Sequence, residues 1–362
     1  MFCGRCSMPW TLAASLPQRG SGMTRRIPIV PRAVSVPSTE EALKVLEARR
    51  IARGLGPLLY ERKQRYRKRL DTRFSRLLGA FPTIRDLTTE KREPIRQLAA
   101  SGARMLGPLT PDEVDHLAAD LHAEAPWMCE VSNFIMLRLR ANVAAGETGL
   151  LLPPVLLVGD PGCGKSEYAR RIAEIAGVPL RRIDVGSGAA GFRISGLEKG
   201  WSSAAPGIPV ETVITTQVAN PLFVVDEIDK AGMLKGDRSA GTSVTVSLLE
   251  MLEPATAAKF ECPAYRLPFD MSRLVWILTA NDLDSVPVPI RDRCRVFRVP
   301  HPRPGDLLSV FDRLTGDIGD RDLVSDARAT LETSLSSAVM SLRRLRAFIA
   351  AVRAFPSKPR FH

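Results

Sequence analysis

The chain has 362 residues, 45% of them hydrophobic and 25% charged, with a net charge of +12. No stretch reaches the roughly eighteen apolar residues a membrane helix needs, and Pro9 and Pro17 interrupt the apolar patch at the N-terminus where a signal peptide would have its core. The expectation is a cytoplasmic globular protein with no membrane role and, with six scattered cysteines and no export signal, no disulfide framework.

Residues 1–38 are rich in Pro, Gly and Ser and read as disordered, with Met23 a more natural start than Met1. Cys3 and Cys6 form a CxxC pair, but no second pair accompanies them to complete zinc's four ligands. Residues 1–110 hold 22 Lys and Arg against 8 Asp and Glu, a net of +14, while the remainder holds 29 against 31. All of the positive charge therefore lies in the N-terminal third. The basic segment 24–104 leaves two readings open, a patch that meets nucleic acid or an acidic partner and a solvated helical face.

Residues 39–108 read as a basic helical region. Acids early, bases late and Gly54 as a stop predict a helix over 39–54. A second helix over 58–79 carries Leu59, Tyr66, Leu70, Phe74 and Leu77 on one face and mostly Arg and Lys elsewhere. Thr110 then opens a helix with Pro111 at its first position and Glu113 placed for a capping box. A further helix is predicted over 128–144. Apolar runs at Pro154–Val158, Leu180–Val185, Leu222–Val225 and Leu274–Thr279 alternate with helical segments, the pattern of a parallel sheet between helix layers. Pro300, Pro302 and Pro304 mark a boundary, and 303–362 reads as a small helical lid after a core spanning 109–302.

The chemistry sits at the strand ends. Residues 155–166, VLLVGDPGCGKS, match G-x-x-x-x-G-K-[ST] from Gly159 to Ser166. In such a loop the glycines let backbone N–H groups point at phosphate oxygens, and the next helix aims its N-terminus at them. The segment Gly159, Asp160, Pro161, Gly162, Cys163, Gly164, Lys165 and Ser166 is therefore the expected phosphate cradle of ATP. Lys165 would meet the β and γ phosphates, and the Ser166 hydroxyl would ligate Mg²⁺. The strand Leu222–Val225 ends in Asp226 and Glu227; at a strand tip the first carboxylate can serve Mg²⁺ and the second can polarise a water. A strand that merely ends in surface acids is the bland reading, and the preceding P-loop weighs against it. A third strand, LVWILTAND, brings Thr279 and Asn281 to a position between the other two tips. Arg291 and Arg293 follow on a turn, either as surface ion pairs or as a charge for the γ-phosphate.

With these residues in place, the sequence resembles the ATPase module of Lon-type AAA+ proteases over about residues 110–353. The motifs that carry the resemblance are VLLVGDPGCGKS, Gly200–Gly207, LFVVDEIDKAG, SLLEMLEP, PFDMSRLVWILTAND, PVPIRDR and SLRRLRAFI. The resemblance implies an α/β P-loop NTPase of AAA+ type, with a three-layer αβα core, a parallel sheet, a helical lid and a basic helical segment ahead of it. It implies Mg²⁺-dependent ATP hydrolysis in a homo-hexameric ring that remodels or unfolds protein substrates. Asn281 would be the sensor-1 residue, Arg293 an arginine finger reaching the neighbouring subunit, and Arg343 the sensor-2 arginine, with Arg344 as its rival. Trp201 would be a pore-loop aromatic, against a core tryptophan as the alternative. Two departures stand out. Pro126-Trp127-Met128 occupies the place of the family's His-Tyr-Gly-Leu segment, and the expectation for these 362 residues is an ATPase module without the peptidase domain and its Ser–Lys dyad. Nucleic-acid association through residues 24–104 is the competing functional expectation.

Overall fold

The computed structural model of the protein describes residues 25–32, 37–77, 87–185, 190–198, 205–232, 244–337 and 340–355. The CxxC pair, Met23 and Trp201 lie outside the described residues.

The first described elements depart from expectation. Residues 25–32 lie in the segment expected to be disordered, yet β1 (Arg26–Ile27) pairs antiparallel with β2 (Ala103–Arg104). Ile29 and Val30 are buried in the main core, and the Ile29 carbonyl accepts the Asp270 N–H at 2.8 Å. The apolar cluster Ile27, Ile29 and Val30 has a surface to cover, which the Pro-rich composition around it concealed. Two helices follow. α1 (Thr39–Ala52) has a complete capping box between Ser38 and Glu41, and it lies against α2 (Tyr60–Leu77) through Lys63–Glu47 (3.1 Å) and Arg67–Glu40. α3 (Thr89–Ser101) puts Ile95, Leu98 and Ala99 into the main core, so this part of the basic region packs as part of the nucleotide-binding body.

Thr110 caps α4 (Pro111–Glu124) by accepting the Glu113 N–H at 3.3 Å, while the Glu113 carboxylate accepts the Leu109 N–H at 2.6 Å. α5 (Cys129–Ala144) follows, then the chain enters the sheet. Strands β3 (Val155–Val158), β4 (Leu180–Asp184) and β5 (Leu222–Asp226) are separated by α6 (Lys165–Ala176), α7 (Ala190–Ser195) and α8 (Ile208–Thr216). After α9 (Val244–Leu252) and α10 (Pro254–Ala257), the antiparallel pair β6 (Phe260–Cys262) and β7 (Leu267–Phe269) precedes β8 (Val275–Ala280). The short α11 (Val288–Arg291) leads to β9 (Arg295–Arg298).

The five long-range strands form one wholly parallel sheet in the order β4-β5-β8-β3-β9. β3, β5 and β8 are buried throughout, because alternate residues feed two different cores. Leu156, Val158, Phe223, Val225, Trp276 and Leu278 face one, and Val155, Leu157, Leu222, Val224, Val275 and Ile277 face the other. Phe223 and Trp276 stack across β5 and β8 at 4.9 Å between centroids; full burial of such a ring contributes on the order of 2–3 kcal/mol. β9 escapes a pattern search because its four residues, Arg-Val-Phe-Arg, offer too little apolar run. The lid is α12 (Pro304–Thr315), α13 (Arg321–Ser337) and α14 (Leu342–Ala354), packed on Phe311, Leu331, Leu345 and Ile349.

Candidate nucleotide site

The sheet order places the tips of β5, β8 and β3 side by side, and the polar residues gather there. β3 passes directly into Gly159–Ser166. Gly159 donates its N–H to the Ala280 carbonyl at 3.2 Å, and a Cβ on it would stand 2.4 Å from the Val299 carbonyl oxygen. Only glycine fits that approach. Gly162 and Gly164 have φ of +86° and +98°, and together they turn the loop toward the start of α6. Asp160 and Pro161 form the exposed crest, with His301 Nε2 lying 3.2 Å from Asp160 Oδ2. Cys163 is buried inside the loop, which pushes its thiol pKa up. Its carbonyl accepts Trp127 Nε1–H at 2.9 Å.

Lys165 folds back along the loop. Its ammonium donates to the Gly159 carbonyl (2.5 Å), the Asp160 carbonyl (3.1 Å) and Asn281 Oδ1 (3.2 Å). Ser166 donates its hydroxyl to Asp226 Oδ1 at 2.5 Å, and Thr279 donates to the same oxygen at 3.0 Å. The other oxygen, Oδ2, accepts Arg182 Nε at 2.9 Å and Nη2 at 2.5 Å. Asp226 is buried, so this four-donor arrangement satisfies a charge that burial alone would disfavour. Glu227 follows in the left-handed region at φ +59°, rare for a side-chain-bearing residue. Its N–H donates to Thr279 Oγ1 at 3.2 Å, and its carboxylate pairs with Lys230. Asn281 is fixed by its own N–H, which donates to Asp229 Oδ2 at 3.3 Å.

The lid touches the same loop. The Leu342 N–H donates to the Gly162 carbonyl at 3.0 Å, and Arg346 pairs with Glu167 at 2.6 Å. Burial works to raise the Glu167 pKa, but the hydrogen bonds and charges of Arg170 and Arg346 outweigh it and bring it down to about 2. Arg343, one turn before Arg346, is exposed, as is Arg344. Trp127 packs against both the α4–α6 core and the lid. Arg293 is also exposed, with Nη1 donating to the Pro289 carbonyl (3.1 Å) and Nε 3.6 Å from Glu253; no described P-loop residue of its own chain touches it.

Residues 155–300 match the model of the ATPase family associated with various cellular activities, AAA. The chain carries an AAA ATPase module. This AAA module resembles that of Lon proteases: it is 35% identical over 171 residues to Lon protease of Magnetococcus marinus, covering 47% of this chain and 20% of that one. It is 33% identical over 165 residues to Lon protease of Chloroherpeton thalassium, covering 45% and 18%. Lon protease 2 of Syntrophobacter fumaroxidans matches at 36% over 149 residues, 41% and 18%. The chain thus spans about a fifth of the length of these relatives. A closed-state reconstruction of Hsp104 with ATPγS and FITC-casein superposes with a TM-score of 0.52 at 16% identity, over 80% of this chain and 52% of that one, which is a likeness of fold.

The donor set of the AAA module suits its expected ligands. Ser166 and Asp226 offer hard oxygens of the kind Mg²⁺ prefers, and the left-handed glycines let the lid approach closely, since a Cβ on Gly162 or Gly164 would stand 2.7 Å from Ser341 or Leu342. Arg182 was not among the residues expected from sequence. It sits in an edge strand, far from Asp226 along the chain, and nothing in its local sequence distinguishes it from a solvated arginine. No described helix is long and apolar enough to cross a membrane.

Proposed function

We propose that the module binds ATP with Mg²⁺ and hydrolyses it, and that a ring of six copies couples this to remodelling or unfolding of protein substrates in the cytoplasm. The observation that carries the reading is the convergence of Lys165, Ser166, Asp226, Glu227, Thr279 and Asn281 at three adjacent strand tips. Mg²⁺ bound with ATP supplies charge neutralisation at the β and γ phosphates.

The backbone of Gly159–Ser166 binds the phosphates, and Lys165 exchanges its carbonyl partners for phosphate oxygens. Ser166 and Asp226 would hold the cation. Glu227 orients and polarises the attacking water and takes its proton as the water oxygen bonds to the γ-phosphorus, while the bond from that phosphorus to the β–γ bridging oxygen breaks and ADP leaves with the electron pair. Asn281, held by Asp229, positions that water or the γ-phosphate. Arg293 acts on the neighbouring subunit's nucleotide; its exposure and its lack of contact with its own described P-loop support that role. Arg343, on the lid turn beside Gly162, reports nucleotide state to the lid, and Trp201 belongs to the substrate-gripping loop. In this reading residues 303–362 belong to the lid.

The test is ATP turnover and assembly mass for the wild-type chain and Glu227→Gln, with and without an unfolded protein. Turnover by the wild type, stimulation by the unfolded protein and a nucleotide-dependent hexamer are expected. A wild type that binds but never hydrolyses ATP would sink the enzyme reading; turnover indifferent to unfolded protein would sink remodelling.

A further inference from the structure

α2 carries eight Lys and Arg and two acids in eighteen residues, and the fold sorts seven of those bases into two groups, with the exposed Lys68 outside both. Lys63 and Arg67 face α1, where Glu47 and Glu40 pair with them. Arg62, Arg65, Arg69, Arg73 and Arg76 recur at spacings of three and four, so they line a single face for about 21 Å at 1.5 Å per residue. All five are exposed, and none has an ion-pair partner among the described residues. At about 100° per residue their stripe lies ~130° around the helix from the face that meets α1. Like charges at these spacings work against the helix, so the stripe costs stability without returning any inside the chain.

We propose that this arginine face of α2 docks on the phosphate backbone of duplex DNA. Tyr66, an exposed aromatic one turn from Arg62 and Arg69, borders the stripe. A single bordering ring is a poor match to the run of stacking platforms of a single-strand binder and to the apolar face of a membrane-surface helix. A helix with its side chains is about 10–12 Å across, which suits the roughly 12 Å major groove of B-form DNA and not the deep, narrow one of duplex RNA. Because the stripe points away from α1, contact with a duplex leaves the α1–α2 packing in place. The hairpin is also tied to the nucleotide-binding body: Glu41 of α1 pairs with Arg96 of α3 at 3.2 Å, and α3 is rooted in the main core by Ile95 and Leu98. Docked DNA would therefore sit at a fixed place relative to the module.

The experiment uses the full chain and a fluorescent 20-base-pair duplex of arbitrary sequence, titrated by anisotropy over a range of salt. Each phosphate contact contributes about 0.9 to the slope of log affinity against log salt. Replacing Arg65, Arg69 and Arg73 together by Gln is expected to lower that slope by about 2.7 and the affinity by at least tenfold at moderate salt. The matching Arg→Lys variant should bind nearly as well as wild type, and ATP turnover without DNA should be unchanged in both. Replacing Arg49, Arg50 and Arg53 by Gln removes equal charge from α1 and its end and should leave the slope within about one contact of wild type. An unchanged slope in the Arg65/Arg69/Arg73 variant overturns the proposal. So does tighter binding of the wild type to polyglutamate, to single-stranded DNA or to phosphatidylserine vesicles than to the duplex at equal salt.

Discussion

Arg182 meets Asp226 diagonally across β4 and β5, two residues before the strand tip where Asp184 pairs in register with Asp226. Both guanidinium donors close on Oδ2, while Ser166 and Thr279 take Oδ1. The carboxylate is thereby held with one oxygen turned toward the phosphate loop. The arginine itself is largely exposed, which weakens the pair relative to a buried one. Arg182→Ala is expected to raise the Mg²⁺ concentration for half-maximal turnover about fivefold, on the order of 1 kcal/mol. Metal-free binding of a fluorescent ATP analogue should stay within about twofold, and Arg182→Lys should recover part of the loss. Equal loss of metal-free binding in Arg182→Ala would mean the arginine supports the fold and not the carboxylate.

Glu227 combines two properties that substitution separates. Glu227→Gln keeps the side-chain shape and removes the base, so turnover should fall roughly 10²–10⁴-fold with ATP binding retained. Glu227→Gly removes the side chain from a backbone at φ +59°. It should be as inactive yet more stable than Glu227→Gln by about 1 kcal/mol, read as a higher thermal midpoint, because glycine bears no left-handed penalty.

Gly162 is required twice over. Its φ is +86°, and an added Cβ would stand 2.7 Å from Ser341 Cβ on the lid. Gly162→Ala should lose about 2 kcal/mol or more of stability and weaken ATP binding, because both backbone and lid must shift. Gly146→Ala is the comparison: φ is +77° but nothing lies within 4 Å. It should cost only the backbone penalty of about 1 kcal/mol, with ATP binding unaffected.

The Glu167–Arg346 pair gives the lid a pH dependence. The carboxyl's pKa falls from its ordinary 4.5 to about 2 in the fold. A depressed folded pKa contributes stability that is whole above about pH 4.5 and is lost progressively as pH falls through about 2. Trp127, which packs on both the core and the lid, should report lid release by fluorescence over that acid range. In Arg346→Gln the change should begin at higher pH, since one of the two arginines depressing Glu167 is gone.

The linear sequence by itself determined the local chemistry. Gly159–Ser166 is legible because each position answers a local demand: left-handed backbone at Gly162 and Gly164, a helix start at Lys165, a hydroxyl at Ser166. The helices from Thr39 and Thr110 and the buried strands β3, β5 and β8 are legible for the same reason, since caps and apolar runs are set by near neighbours. Tertiary structure decided what stands beside what. Motif order puts a polar side chain of β8 between the tips of β5 and β3, but the contacts of Thr279 with Asp226 and of Asn281 with Lys165 exist only in the folded sheet. Arg182 on Asp226, Arg346 on Glu167 and the burial of Ile29 and Val30 had no local signature at all. Each joins residues distant along the chain, and such pairings depend on how strands order and lids close, which no window of neighbouring residues encodes.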